Sequence, residues 1–328
     1  MTMKFFKMST FLIFILLAGC GNSNLVELEK EFDGYQLTIK ASPGSIGKVE
    51  CTNLMKNAAE VFKQSVGASG EVNSIIEKLN NERGPLKVSD DIYRLLGRVN
   101  ELQGKSDGYW NPFLGEVRRL WGLNESTPSF PSTDSLEQAI NRASNTRLKL
   151  SGNNQVELEG SGNLFLGRAV LGWALDEAAA VMIDGGVEAG LLEADGVHRH
   201  WGEPSADSKW SIIISALPND SSEYKIESDA GGICEINLRE FNTEGRIITD
   251  VIYPFDGEPL EGMINLSVWA PDAMQACIFG ETMYAMDRLE MLHWSDELED
   301  VGVFFIRQDD IGVIGETNMR MSPWISKP

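Results

Sequence analysis

The 328-residue sequence is poor in the residues that build metal and disulfide frameworks: it holds 4 cysteines and 3 histidines. No two cysteines form a C-x-x-C pair, so a zinc site of familiar spacing is excluded, as is a disulfide-stapled miniature domain. Basic residues are scarce as well, 28 Lys and Arg against 49 Asp and Glu, for a formal net charge of -21. A surface of that sign repels nucleic acid and anionic headgroups, so no nucleic-acid partner is expected. It leaves nucleotide ligands open, because a local cation or a few backbone N–H groups can hold phosphates inside an acidic protein. There is no internal repeat and no polar stretch long enough to link two domains. What remains, 42% apolar and 23% charged residues, is ordinary for a globular chain able to bury a core.

The N-terminus reads as a leader. Lys4 and Lys7 precede the apolar run Phe11 to Leu17, which is too short to span a bilayer, and Ala18-Gly19 forms a small-residue cleavage site. Leu17-Ala18-Gly19-Cys20 resembles the lipobox of bacterial lipoproteins. That resemblance implies a signal peptide over residues 1–19, lipidation of Cys20 and a periplasm-facing protein anchored to the cell envelope by lipid. Gly21 stands where an inner-membrane retention aspartate would be, which favours the outer membrane. Residues 20–34 are read as a tether and residues 35–328 as one domain.

Within that domain, residues 35–40 alternate as a half-buried strand does, while 53–65 and 71–80 suit amphipathic helices. Ser89 caps a helix that carries Ile92, Leu95, Leu96, Val99 and Leu102 at helical spacing. Leu175, Ala178, Ala179 and Met182 line another helix, stopped by Gly185-Gly186. Residues 210–216, 263–270 and 302–306 are β-rich, and 272–286 reads as a helix. Strands and helices without regular βαβ crossovers predict an α+β fold, with helices packed on antiparallel or mixed sheets. Cys51, Cys234 and Cys277 are left as one disulfide plus a free thiol, or as three buried thiols.

Four segments carry the functional signal. They are SDGYWNPFLGEVRRLWGL (Ser106 to Leu123), Gly172-Trp173-Ala174-Leu175-Asp176 with its helix, EFNTEGRIITDVIYPFDGEP (Glu240 to Pro259), and LSVWAPDAMQACIFGETMYAMD (Leu266 to Asp287). In order and spacing they resemble the ApbE family, the FAD:protein FMN transferases. The resemblance implies a T-fold-like architecture, FAD as the flavin donor, Mg2+ as the metal, and a threonine in an extracytoplasmic flavoprotein as acceptor. Chemically, splitting a pyrophosphate needs its oxygens neutralised, and a threonine hydroxyl needs a base or a metal-organised proton path.

The substitutions fall on that chemistry. The metal-binding Asp and Thr of the family, four residues apart on one helical face, correspond to Cys277 and Glu281, and a neutral thiol is a poor ligand for Mg2+. Leu171 replaces a lysine, Asp195-Gly196-Val197 replaces Gly-Gly-Asp, Asp250 replaces a histidine, Tyr253 an aspartate and Asn111 an acid. Gly172, Asp176, Asp195 and Asp250 are the candidate cofactor-binding residues, Glu281 and Cys277 the candidate metal positions; no catalytic residue is assigned. Asp176 is either a polar anchor for the nucleotide or a first-turn acid. Asp195, Glu235, Asp250, Asp256 and Glu281 converging on a new cation site is weighed against acids scattered over an acidic surface, and the second is preferred. His198 and His200, an H-x-H pair, are expected at the surface, and Trp110, Trp121, Trp173 and Trp201 in the core. Three functions stand: an Mg2+-dependent FMN transferase, a non-catalytic lipoprotein binding flavin or a flavoprotein, and a lipid-anchored assembly factor.

Overall fold

In the computed structural model, an Asp-Gly pair sets the first turn. Asp33 and Gly34 both take positive φ, 47° and 91°, the geometry of a two-residue hairpin, and join the strands Val26–Phe32 and Tyr35–Ser42. The structure describes residues 25–67, 70–123, 128–206, 208–215, 223–236, 240–243, 246–261, 265–309 and 312–326. Cys20 and the leader, residues 1–19, lie outside them. The hairpin revises part of the tether expected over 20–34: Leu28 and Phe32 are buried and Val26 pairs with Ala41, so Val26–Phe32 is an edge strand of the domain. Its alternation is obscured by Glu27, Glu29, Lys30 and Glu31, which are partly or fully exposed between the buried Leu28 and Phe32 or beside them.

Eight antiparallel strands form the central sheet, in the order 26–32, 35–42, 189–194, 197–201, 231–235, 265–270, 302–309 and 312–317. Alternate side chains divide between two cores. Leu192, Ala194, Cys234, Val303 and Phe305 face a helical layer. Ala189, Leu191, Ile233, Phe304 and Ile306 face a second cluster with Trp210, Ile212, Tyr224 and Ile226 of a small three-stranded sheet. Burial on both faces explains why these strands read as nearly continuous apolar runs.

The helical layer consists of Lys48–Val66, Arg168–Asp184 and Ala273–Tyr284. The last two are apolar around most of their circumference, as helices enclosed by neighbours must be. Helix Asp90–Lys105 starts where expected, with Ser89 Oγ accepting from the Ile92 N–H at 3.4 Å. The fold is therefore α+β with helices on antiparallel sheets, as predicted. Among the described residues no helix is long and apolar enough to cross a membrane.

Two expectations change. His198 and His200 are buried, at 4% and 0% exposure, because their strand is covered on both sides. His198 Nε2 lies 3.2 Å from Glu235 Oε1, whereas the His200 ring has no hydrogen-bond partner among the described residues. The cysteine alternatives resolve to three buried free thiols. Trp110, Trp121, Trp173 and Trp201 are buried as expected.

Candidate functional site

Gly172 fixes how the two apolar helices meet. A Cβ there would sit 2.6 Å from the Ala273 carbonyl oxygen and from Met274 Cα, so only glycine lets the backbones approach this closely. One turn on, Asp176 accepts from the backbone N–H groups of Ala273 (3.0 Å) and Met274 (2.9 Å), the free donors at the start of the next helix. Arg199 Nε stands 3.0 Å from the same carboxylate. Burial, then the neighbouring Asp272 carboxylate, push Asp176 up to about 7, against the pull of Arg199 and the two N–H groups. Asp176 is thus no first-turn acid: it lies in mid-helix and ties two helices together. It also borders an open cavity of about 350 Å³ with Arg94, Arg98 and Trp173.

A second cavity of about 350 Å³ opens on the other side of the Arg168–Asp184 helix start. Tyr35, Phe165, Leu171 and Val251 give it apolar walls, and Arg118, Arg168, Asp195, Asp250 and Glu281 are its charged lining. Asp195 sits at φ 48° beside Gly196 at φ 74°, the two-residue turn between strands 189–194 and 197–201, so one residue both makes the turn and reaches the cavity rim. Arg118 stacks its guanidinium 4.2 Å from the Phe165 ring centre and donates to the Asp250 carbonyl. Of the sequence candidates, then, Asp195, Asp250 and Glu281 share this cavity, while Asp176 faces the other.

Glu281 joins the main cavity to a small one of about 40 Å³ behind it, bordered by Tyr109, Trp110 and Asn111. Trp110 Nε1 donates to Glu281 Oε2 at 2.9 Å. Burial raises the Glu281 pKa, and Asp250 adds to it, outweighing Arg168, Arg118 and the indole N–H. One turn before it, Cys277 is fully enclosed; burial and then a hydrogen bond with Cys234 hold its thiol well above the usual cysteine range. The SDGYWNP block supplies supports around this wall: Trp121 Nε1 donates to the Gly257 carbonyl at 2.9 Å, and Asn111 Oδ1 accepts from the Phe113 N–H at 2.9 Å.

The ApbE family model matches residues 35–305. The chain belongs to the ApbE family. Among curated ApbE relatives, the FAD:protein FMN transferase of Chlamydia muridarum is 22% identical over 277 residues, spanning 79% of this chain and 82% of that protein. That of Treponema pallidum is 25% identical over 143 residues, 41% of this chain and 40% of its own. Among solved structures, the ApbE protein of Thermotoga maritima superposes with a TM-score of 0.79 at 19% identity, covering 92% of this chain and 99% of that one. The flavin transferase ApbE of Vibrio cholerae gives 0.75 at 18% identity with the same coverage. The α+β architecture of this chain is therefore that of ApbE proteins.

Arg118 and Arg168 are the functional candidates that sequence reasoning missed. A signal existed for Arg168: it is the first residue of an apolar helix that has no acid in its first turn, where the helix dipole disfavours a cation. Asp195, Asp250 and Glu281 thus line one cavity, and among the described residues no three His, Cys, Asp or Glu side chains are grouped so as to hold a metal ion. Glu235 is turned toward His198, and Asp256 Oδ1 accepts from the Glu258 N–H at 2.9 Å on the surface.

Proposed function

We propose that this ApbE-family chain is a lipid-anchored protein of the bacterial cell envelope that binds a flavin nucleotide in the Phe165–Asp250 cavity and does not carry out Mg2+-dependent FMN transfer. The cavity volume of about 350 Å³ falls within the range of small-molecule sites, roughly 300–1,000 Å³, and aromatic walls with a few fixed charges suit a fused-ring nucleotide. FAD is the expected ligand because the curated relatives are FAD:protein FMN transferases.

The observation that carries the non-catalytic half is the chemistry at Cys277 and Glu281. Mg2+ demands about six oxygen donors at near-octahedral geometry. At these two positions the chain offers a buried thiol that keeps its proton and a carboxyl raised by burial and bonded to the Trp110 indole. Arg168 lines the same cavity as Glu281 and adds a fixed positive charge there. This donor set does not fit Mg2+. Cys20 lipidation and periplasmic exposure rest on the leader alone.

The decisive experiment incubates the full chain in detergent with FAD, with and without Mg2+, and measures retained flavin fluorescence and released AMP. Retained flavin without AMP is expected. AMP release matched by flavinylation of a threonine-bearing acceptor would overturn the non-catalytic half; no flavin retention would overturn the ligand. Cys20→Ser should move the protein from the membrane to the soluble fraction, and unchanged fractionation would overturn the anchor.

A further inference from the structure

Arg168 is placed where it contributes nothing to the helix it starts. Its charge stands at the positive end of the helix dipole, with no acid in the first turn to offset it. Yet the side chain turns into the cavity wall with Glu281, and its Nη1 is sealed from solvent. Gly167, at φ 51°, turns the chain just before it, and a Cβ on that glycine would lie 3.7 Å from Glu281 Oε1, which locates the helix start against the Glu281 carboxylate. The guanidinium keeps its charge at every physiological pH, and the nearby Asp250 carboxylate, which lines the same cavity, favours that charge. Arg118 lines the same cavity, oriented by the Phe165 ring and the Asp250 carbonyl.

We propose that Arg168 takes the place of a divalent cation in this cavity and, with Arg118, forms a metal-independent subsite for the phosphate or pyrophosphate of the ligand. The inference rests on the flavin-nucleotide reading for the ligand's remaining part, though not for the anion. Guanidinium suits an anion subsite because it is charged at every physiological pH and presents planar, paired donors that match two phosphate oxygens. It also restricts the chemistry. An arginine neutralises phosphate charge but cannot bind an acceptor hydroxyl as a Lewis acid, so the same substitution that keeps affinity removes the metal's part in transfer. Three carboxyl groups, Asp195, Asp250 and Glu281, share the lining with the two guanidiniums, and the Asp195 carboxylate stands on an exposed turn where water screens it.

The test compares riboflavin, FMN and inorganic pyrophosphate on the full chain in detergent, each with EDTA and with Mg2+. FMN should bind more tightly than riboflavin, and pyrophosphate should raise the melting temperature, to the same extent in EDTA as in Mg2+. Arg168→Gln should remove roughly tenfold or more of the FMN advantage over riboflavin, the loss of a charge-assisted bidentate contact, while Arg168→Lys restores part of it. A requirement for Mg2+ in the unsubstituted protein overturns the proposal whether or not the variants fold. So does equal binding of riboflavin and FMN, which leaves the flavin reading intact. Pyrophosphate stabilisation in EDTA without flavin binding supports the subsite and overturns the flavin reading instead.

Discussion

Trp110 donates its indole N–H to Glu281 at 2.9 Å across 171 residues of sequence, joining the SDGYWNP block to the helix that bears the two candidate metal positions. The bond gives a half-buried carboxyl one fixed donor, in a cavity it shares with the Arg118 and Arg168 guanidiniums. Trp110→Phe removes that donor and leaves the carboxyl less well satisfied, so it should cost about 1–3 kcal/mol of stability. Glu281→Gln keeps an acceptor for the indole and should cost less. Urea unfolding of both variants checks the order; a Trp110→Phe loss no larger than that of Glu281→Gln would contradict it.

Gly172 is predicted to be a packing position. Because the atoms a Cβ would meet are backbone atoms of Ala273 and Met274, neither can swing aside, and the two helices must separate. Gly172→Ala should destabilise by about 1–3 kcal/mol, the usual range for overpacking a tight interior. Thermal melting within error of the parent protein would show that the interface has slack.

His200 should make the protein acid-sensitive. Burial, then the Arg199 and His198 charges, depress its pKa from 6.5 to about 3. The unfolded chain therefore takes up a proton before the native state does. Stability from this residue is full above about pH 6.5 and declines as the pH falls toward about 3. His200→Leu should flatten the urea midpoint over that window. An unchanged pH profile would place the acid sensitivity elsewhere.

The thiols should be inert in the native state. In a Cys20→Ser chain, Cys51, Cys234 and Cys277 remain, all buried, and burial raises the pKa of Cys51 and of Cys277. Thiolate is the reactive form, so a disulfide-exchange reagent should titrate them only after denaturant is added. Prompt reaction of Cys277 in the folded protein would show that the wall beside Glu281 opens.

Much of the fold was legible because its signals are local. The Ser89 cap, the periodic face of Asp90–Lys105 and the Gly185-Gly186 stop all act within a few residues of themselves. The hairpin at Asp33-Gly34 was equally local, and it was missed because the charged, solvent-facing side of Val26–Phe32 resembled a tether. The buried histidines were not legible, since nothing near them states that a second sheet covers their strand. The site was half legible: Asp195, Asp250 and Glu281 were named for their places in the motifs, whereas Arg118 and Arg168 drew no notice.

By itself the sequence determined the resemblance to the ApbE family, the α+β class with several of its helices and strands, and the chemical identity of each residue where the motifs place reactive groups. Only the tertiary structure decided that Asp176 bonds a neighbouring helix, that Cys277 is sealed against Cys234, and that two guanidiniums share a cavity with Glu281. The reason is range. Periodicity and capping are set by neighbours along the chain, but charges from residues 118, 168, 250 and 281 meet only after helices and sheets have packed. Their pKa values then follow from burial, which no residue carries alone.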